Sequence, residues 1–224
     1  MTKRTTCDVL VAGAGPGGAF LSYLLARRGL NVLALDKERF PRDKVCGGGI
    51  SNKTIDLLPF SIEPVTQKKI SGAYLTYRNR DTVFRELGGS DGAAVLRSEF
   101  DAFLIHQAVA AGAEFMPETA FVSAQRQGDS LNVITTRGEI ATRCLVGADG
   151  AMSRVRSEIF GRDIVRCAPA VEALVTVRPE HAARIGDRML FDFGGMPRGY
   201  GWIFPKKDHL NVGVFSIFPL RSAR

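Results

Sequence analysis

Hydrophobic and polar positions alternate in three rhythms along the chain. Continuous apolar runs at 7–13 (CDVLVAG) and 31–35 (NVLAL) predict short strands buried on both faces. Between them, 16–28 (PGGAFLSYLLARR) predicts a helix with proline in its first turn, and Gly29 stops it. Strand, helix and strand joined this tightly imply a right-handed parallel crossover. A second helix is predicted after Ser98 as its N-cap, with Asp101 three residues on as a short form of the capping box. Phe100, Phe103, Leu104, Gln107, Ala108 and Ala111 follow helical spacing, and all but Gln107 suit a core face. Strand-like segments follow at 114–125, 131–136 and 140–146, with turns at Gly128-Asp129 and Arg137-Gly138.

Elsewhere the period is two. Residues 70–87 predict two strands around an Asn79-Arg80-Asp81 turn. From about 170 onward, VEALVTV, RMLFDF, YGWIF and LNVGVFSIF predict antiparallel strands, with turns at 194–197 and 206–208. Residues 37–53 read as a loop containing Cys46-Gly47-Gly48-Gly49. The expected fold class is α/β: a Rossmann-like domain over 1–69 and 96–165, interleaved with an antiparallel β-sheet substrate domain over 70–95 and 166–224.

Composition narrows the classes little. A chain of 224 residues with a net charge of +7 favours anionic partners such as phosphates or an anionic membrane surface. The thirty Lys and Arg are dispersed, and no nucleic-acid-binding signature is present. Cys7, Cys46, Cys144 and Cys167 form no CxxC pair and have no His at ligand spacing, so no metal site is expected, and a reduced, cytoplasmic chain fits. No stretch reaches the roughly 20 apolar residues of a membrane span, so expected membrane contact is peripheral.

The sharpest motif is Gly13-x-Gly15-x-x-Gly18, with Pro16 and Gly17 inside it, where a strand turns into a helix. The first glycine permits the turn, the second admits a pyrophosphate, and the third lets helix and strand pack. Free N–H groups and the helix dipole then favour phosphate. Asp36 ends the second strand, about 20 residues on, where a carboxylate accepts hydrogen bonds from ribose hydroxyls. The motif alone does not separate NAD from FAD. A later turn, Gly147-Ala148-Asp149-Gly150, delivers Asp149 from a buried strand and suits contact with a diphosphate and a second ribose. Arg97, immediately before the Ser98 cap, is either a phosphate- or flavin-reaching guanidinium or an exposed arginine.

Together these signals resemble the group-A flavoprotein hydroxylase fold. Two further motifs resemble the geranylgeranyl reductase family: Arg39-Phe40-Pro41-Arg42-Asp43-Lys44-Val45-Cys46-Gly47-Gly48-Gly49, and the Y-x-W-x-F-P signature Tyr200-Gly201-Trp202-Ile203-Phe204-Pro205. The resemblance implies non-covalent FAD, reduced by NADPH, NADH or ferredoxin, passing hydride to a carbon–carbon double bond of a geranylgeranyl or other prenyl chain. It implies FAD contacts at Gly15, Pro16, Gly17, Asp36, Cys46, Gly47, Gly49, Arg97 and Val122, and places Asp149 in the family's Gly-Ala-Asp-Gly turn. It assigns Tyr200, Trp202, Phe204 and Pro205 to the lipid side of the flavin. Two departures stand out. The family's G-x-G after the signature reads Gly213-Val214-Phe215 here, and the family's later Gly-Asp segment does not follow, which reads as a C-terminally truncated chain.

No catalytic triad or carboxylate pair is visible, and Cys46 is the one thiol in the loop expected at the flavin ring. Other expectations from the same residues are an FAD-dependent monooxygenase or halogenase of the same superfamily, or a non-catalytic flavin- or lipid-binding remnant.

Overall fold

A computed structural model describes residues 5–88, 91–161 and 167–217. In chain order the elements are β1 (Thr5–Ala12), α1 (Pro16–Ala26), β2 (Val32–Leu35), β3 (Gly49–Ile50), α2 (Asn52–Ile55), β4 (Thr66–Ile70), β5 (Gly72–Tyr77), β6 (Arg80–Glu86) and β7 (Gly92–Val95). Then come α3 (Arg97–Ala110), β8 (Glu114–Met116), β9 (Phe121–Gln127), β10 (Ser130–Thr135), β11 (Gly138–Gly147) and α4 (Arg154–Phe160). The last are β12 (Ala170–Val175), α5 (Pro179–Ile185), β13 (Arg188–Phe193), β14 (Gly199–Pro205) and β15 (Leu210–Ser216). They divide into two compact units, Met1–Arg42 with Ser98–Arg166, and Asp43–Arg97 with Cys167–Arg224.

The first unit holds a six-stranded sheet ordered β8-β2-β1-β11-β10-β9. Its centre is the parallel set β2, β1 and β11, and the all-apolar β2 is buried along its whole length. Leu10, Leu33, Leu35, Phe121, Val133, Ile140 and Val155 form the core. Small residues Gly18, Ala19, Ser22 and Ala26 make the buried stripe of α1, and side chains this small let the helix pack closely on the sheet.

Three expectations need correction here. The 114–125 segment is two strands on opposite edges of the sheet, because Pro117 and Glu118, with φ +54° at Glu118, turn the chain between them. Helix α3 begins at Arg97, so Ser98 lies within its first turn rather than capping it. Its buried face is also rotated from the expected one. Asp101 and Ile105 join Phe100, Leu104 and Ala108 inside, while Phe103 and Gln107 stay half-buried. Asp101 is drawn in by Arg42, its ion-pair partner at 2.9 Å. Helices α4 and α5 are both short, seven residues each.

The second unit holds a six-stranded sheet ordered β12-β15-β14-β13-β5-β6, antiparallel except for the parallel β13–β5 pair, and a three-stranded sheet ordered β3-β7-β4. Residues 70–95 therefore serve two sheets. The unit boundaries fall at 42/43 and 97/98, because Gly49–Ile50 and Thr66–Ile70 both pair with β7. The β5–β6 turn is Arg78-Asn79, one residue earlier than expected. Both residues have positive φ (54° and 56°), the geometry of a two-residue hairpin turn matched to strand twist. Asp192 Oδ1 on β13 fastens it, accepting from Asn79 N and Thr76 Oγ1, each at 2.6 Å. Among the described residues, no helix is long and apolar enough to cross a membrane, and no cluster of three or more His, Cys, Asp or Glu is placed to hold a metal ion.

Candidate functional site

In the first unit, the β1–β11 pairing brings two glycine turns together. The parallel register sets Ala12 beside Gly147, and Ala148 N donates to Ala12 O at 2.7 Å. Gly13 leaves β1 at φ +101°, a region costly for any other residue, and a side-chain carbon there would run into the Ala148 carbonyl. A carbon on Gly18 would meet the Gly13 carbonyl. The opposite side of the turn is open. Among the described residues, and apart from the local backbone, a carbon on Gly17 would touch nothing within 4 Å, and one on Gly15 would meet only Arg42 Nη2, at 3.8 Å. Helix α1 starts here with Gly15 as cap, Pro16 in its first turn, no side-chain cap bond and no acidic residue. Its first-turn amides and positive dipole end are therefore available to an anion.

Asp36 is 8% exposed at the end of β2. Its Oδ2 accepts from Ala14 N at 2.8 Å and its Oδ1 from Glu38 N at 3.0 Å, so the carboxylate ties the glycine turn to the loop after β2. Asp149 is bonded more heavily. It accepts from Ser153 Oγ (2.5 Å), Arg154 N (2.6 Å) and Val155 N (3.2 Å), an anion at the start of α4. Val122 offers its carbonyl to Arg154 Nε at 3.3 Å. Arg97 is half-buried as the first residue of α3.

In the second unit, an apolar cavity of about 580 Å³ is walled on one side by the Cys46–Gly49 loop and on others by Ile70, Met189, Phe191, Tyr200, Trp202, Phe204 and Phe215. Tyr200, Trp202 and Phe204 share a face of β14 by the strand's two-residue period, as expected. Pro205 falls on the other face, buried and outside the cavity lining. The aromatic rings pack edge-to-face, with Tyr200–Phe215 centroids at 4.7 Å and Phe191–Phe204 at 5.2 Å. Phe215, at the position of the second glycine of the G-x-G, pairs with Tyr200 across β14 and β15, while Gly213 pairs with Trp202 and lies under its ring. Close approach explains the loop glycine Gly47. A carbon there would sit 2.7 Å from the Phe204 ring and 2.9 Å from Trp202 Nε1.

The loop is held from both sides by polar groups that sequence reasoning missed. Lys206 is 4% exposed, and its Nζ donates to Gly47 O (2.7 Å) and Val95 O (2.9 Å). Burial pushes this ammonium down to about 8, with charges on Cys46 and Glu172 opposing the shift. Glu172 Oε2 accepts from Cys46 N at 3.0 Å and from Asn211 Nδ2 at 3.0 Å, and Asn211 Oδ1 accepts from Trp202 Nε1 at 2.7 Å. Cys46 itself is exposed. The missed signal was a lysine one residue past an apolar strand. In sequence it looks like a turn residue; only the three-dimensional approach of the glycine loop buries it.

Known proteins share both the sequence and the fold. The digeranylgeranylglycerophospholipid reductase of Methanocaldococcus jannaschii is 31% identical over 216 residues, 92% of this chain and 54% of that protein. The geranylgeranyl diphosphate reductase of Rhodobacter capsulatus is 29% identical over 222 residues, 95% of this chain and 55% of that protein. The chain thus spans about half the length of the curated relatives it matches. The structure of a geranylgeranyl bacteriochlorophyll reductase-like protein from Thermoplasma acidophilum shares the fold, with a TM-score of 0.79 at 24% identity, over 96% of this chain and 57% of that one. The FAD binding domain model matches residues 6–165, which hold both glycine turns, Asp36 and Asp149. With the open α1 turn and the βαβ crossover that carries it, this match shows that the chain belongs to the FAD binding domain family.

Proposed function

We propose that this chain is the FAD- and prenyl-binding portion of a reductase that saturates carbon–carbon double bonds in a geranylgeranyl or related prenyl chain. One observation carries the reading: the second unit's cavity is apolar, aromatic-lined and bounded by the Cys46–Gly49 loop. A polyprenyl chain offers no hydrogen-bonding groups along its length, so a site that binds it uses apolar contact alone. The relatives' names point to the same substrate class.

The residues fit the cofactor. The open side of the α1 start suits a diphosphate, and Asp36, with two amide bonds, retains acceptor positions for ribose hydroxyls. Gly13, Gly15, Pro16, Gly17 and Gly18 supply that turn, and the flavin end is assigned to Cys46, Gly47 and Gly49. When bound and reduced, FAD supplies a hydride to one alkene carbon, the neighbouring carbon taking a proton. The protein's own part is positional. Glu172 and Lys206 fix successive residues of the glycine loop, and Tyr200, Trp202 and Phe204 present ring faces and edges to the substrate while excluding water. The donor to the flavin is NADPH, NADH or ferredoxin, and substrate access is from a membrane surface.

The test is anaerobic. Full-length protein with chemically reduced FAD and a geranylgeranyl substrate is expected to give product heavier by two hydrogens per bond reduced. Strict dependence on oxygen overturns the reductase reading in favour of oxygenation or halogenation.

A further inference from the structure

Glu172 reverses the usual pattern of a strand. β12 is an edge of the six-stranded sheet, and its Val171 and Leu174 are 59% and 64% exposed, while the charged residue between them is half-buried. Water favours the opposite arrangement, so specific partners must hold the carboxylate inside. Those partners are two N–H groups on one oxygen. Oε2 accepts from Cys46 N and from Asn211 Nδ2, each at 3.0 Å, and Asn211 Oδ1 accepts from Trp202 Nε1 at 2.7 Å. An indole N–H can only donate, which turns the amide oxygen of the buried Asn211 toward Trp202 and its NH2 toward β12. The far end of this relay must then be an acceptor, and Glu172 supplies it. Trp202 is also held by shape. A carbon on Gly213 would run into its six-membered ring, and one on Gly47 would come within 2.9 Å of Nε1, so the indole sits against a strand glycine and a loop glycine. Both ends of the relay stand on walls of the apolar cavity, Cys46 on the loop wall and Trp202 on the aromatic one. One carboxylate oxygen sets the spacing between them.

We propose that Glu172 is a positioning residue for prenyl reduction: through Asn211 it fixes the plane of Trp202 relative to the Cys46–Gly49 loop, and so decides where along the cavity an alkene comes to rest. The role rests on the prenyl reading of the cavity. A polyprenyl chain makes only apolar contacts, so it brings no polar group of its own to set its register, and a rigid ring has to do so. Loss of Glu172 leaves the apolar wall in place but frees the ring. Binding is then kept while the fraction of bound chains with a double bond correctly placed falls.

The experiment compares wild type, E172A and E172Q. Glutamine keeps a carbonyl oxygen for both donors, and alanine offers none. With chemically reduced FAD and a geranylgeranyl substrate, E172A is expected to lose roughly tenfold or more in kcat with KM within about twofold of wild type, and E172Q to recover most of that loss. Trp202 gives a readout apart from turnover, because it is the single tryptophan of the chain. Exchange of its indole N–H, followed by NMR, is expected to quicken about tenfold or more in E172A and to keep the wild-type rate in E172Q. Unchanged indole exchange in folded E172A overturns the relay and leaves Glu172 as an anchor of the loop alone. Quickened exchange with unchanged kcat overturns the positioning role. Should E172A fail to fold, N211L, close to asparagine in shape, cuts the relay in its middle: a lower kcat at constant KM supports the role, and an unchanged kcat overturns it. Wild type that reduces no prenyl alkene overturns the prenyl reading and the role with it, whereas failure of the role alone shows as an active wild type and an equally active E172A.

Discussion

Lys206 is the most informative residue to perturb, because its burial and its hydrogen bonds act in opposite directions. Replacing it by methionine removes two charge-assisted bonds to Gly47 O and Val95 O, worth roughly 1.5–3 kcal/mol each. It also removes a buried ammonium. A fall from 10.5 to about 8 corresponds to roughly 3 kcal/mol of cost to the charged form. At neutral pH these partly offset, so K206M is expected to be less stable by about 3 kcal/mol or less, and a single measurement decides nothing. The pH dependence does. Below pH 7 the lysine is protonated in both folded and unfolded chains, and the burial cost is present in full. As pH rises through about 8, the folded lysine loses its proton while the unfolded one keeps it until about 10.5. The unfolded state then binds more protons, so wild-type stability increases, by about 2 kcal/mol in total between pH 7.5 and 10. The methionine side chain of K206M does not titrate, so the difference between wild type and variant must widen by that amount. Urea unfolding at pH 7.5, 8.5, 9.5 and 10, followed by the fluorescence of the single tryptophan Trp202 on the same network, measures it. A constant or shrinking difference would refute a buried, charged Lys206 at neutral pH.

G13A places a side chain at φ +101° against the Ala148 backbone. The dihedral alone costs roughly 1–3 kcal/mol, so a lower thermal midpoint and loss of FAD during gel filtration are expected; a variant that melts and retains FAD like wild type would contradict the contact. D149A strips two amides and a hydroxyl at the start of α4 of their acceptor, at about 1–2 kcal/mol, and hydrogen exchange at Arg154 and Val155 should accelerate first. Unchanged exchange there would mean that Asp149 does not hold that helix. F215A removes a half-buried ring packed on Tyr200 and is expected to destabilise by about 2 kcal/mol, below the roughly 3–5 of a fully buried phenylalanine. It also enlarges the cavity, so a bulkier prenyl probe should gain affinity relative to geranylgeranyl; no change in that ratio would place Phe215 outside the binding space.

Sequence patterns revealed the parts of this molecule that depend on local rules. A continuous apolar run bounded by glycine turns has few alternatives, so β1, α1 and β2 were legible to within two residues. The aromatic face of β14 was legible because a strand alternates sides, and the same rule, applied one residue further, would have excluded Pro205. What escaped depends on partners distant in sequence. Asp101 reads as a capping residue until Arg42, 59 positions away, is seen to neutralise it inside the core. Lys206 reads as part of a polar turn until carbonyls at 47 and 95 converge on it. Glu172 sits in an otherwise apolar run, yet its partner is the backbone of Cys46. In each case burial of a charge is permitted only by long-range pairing, and a one-dimensional pattern carries no trace of the pair.

Long-range pairing also decides what a carboxylate beside a glycine turn is for. Asp36 and Asp149 were read as groups facing the ligand, but both first serve the chain's own amides. A carboxylate has about four acceptor positions. Asp36 fills two, with Ala14 and Glu38, and keeps room for hydroxyls while holding the glycine turn against the loop after β2. Asp149 fills three, all at the start of α4, so its main effect on a ligand is indirect: it fixes the 147–150 turn against which Gly13 is packed. Loss of either should therefore change the shape of the turn before it changes the chemistry of a contact. Arg42 is the reverse case. Its ion pair is made with a buried side chain, not with the turn, and the guanidinium edge left over is the one that faces α1.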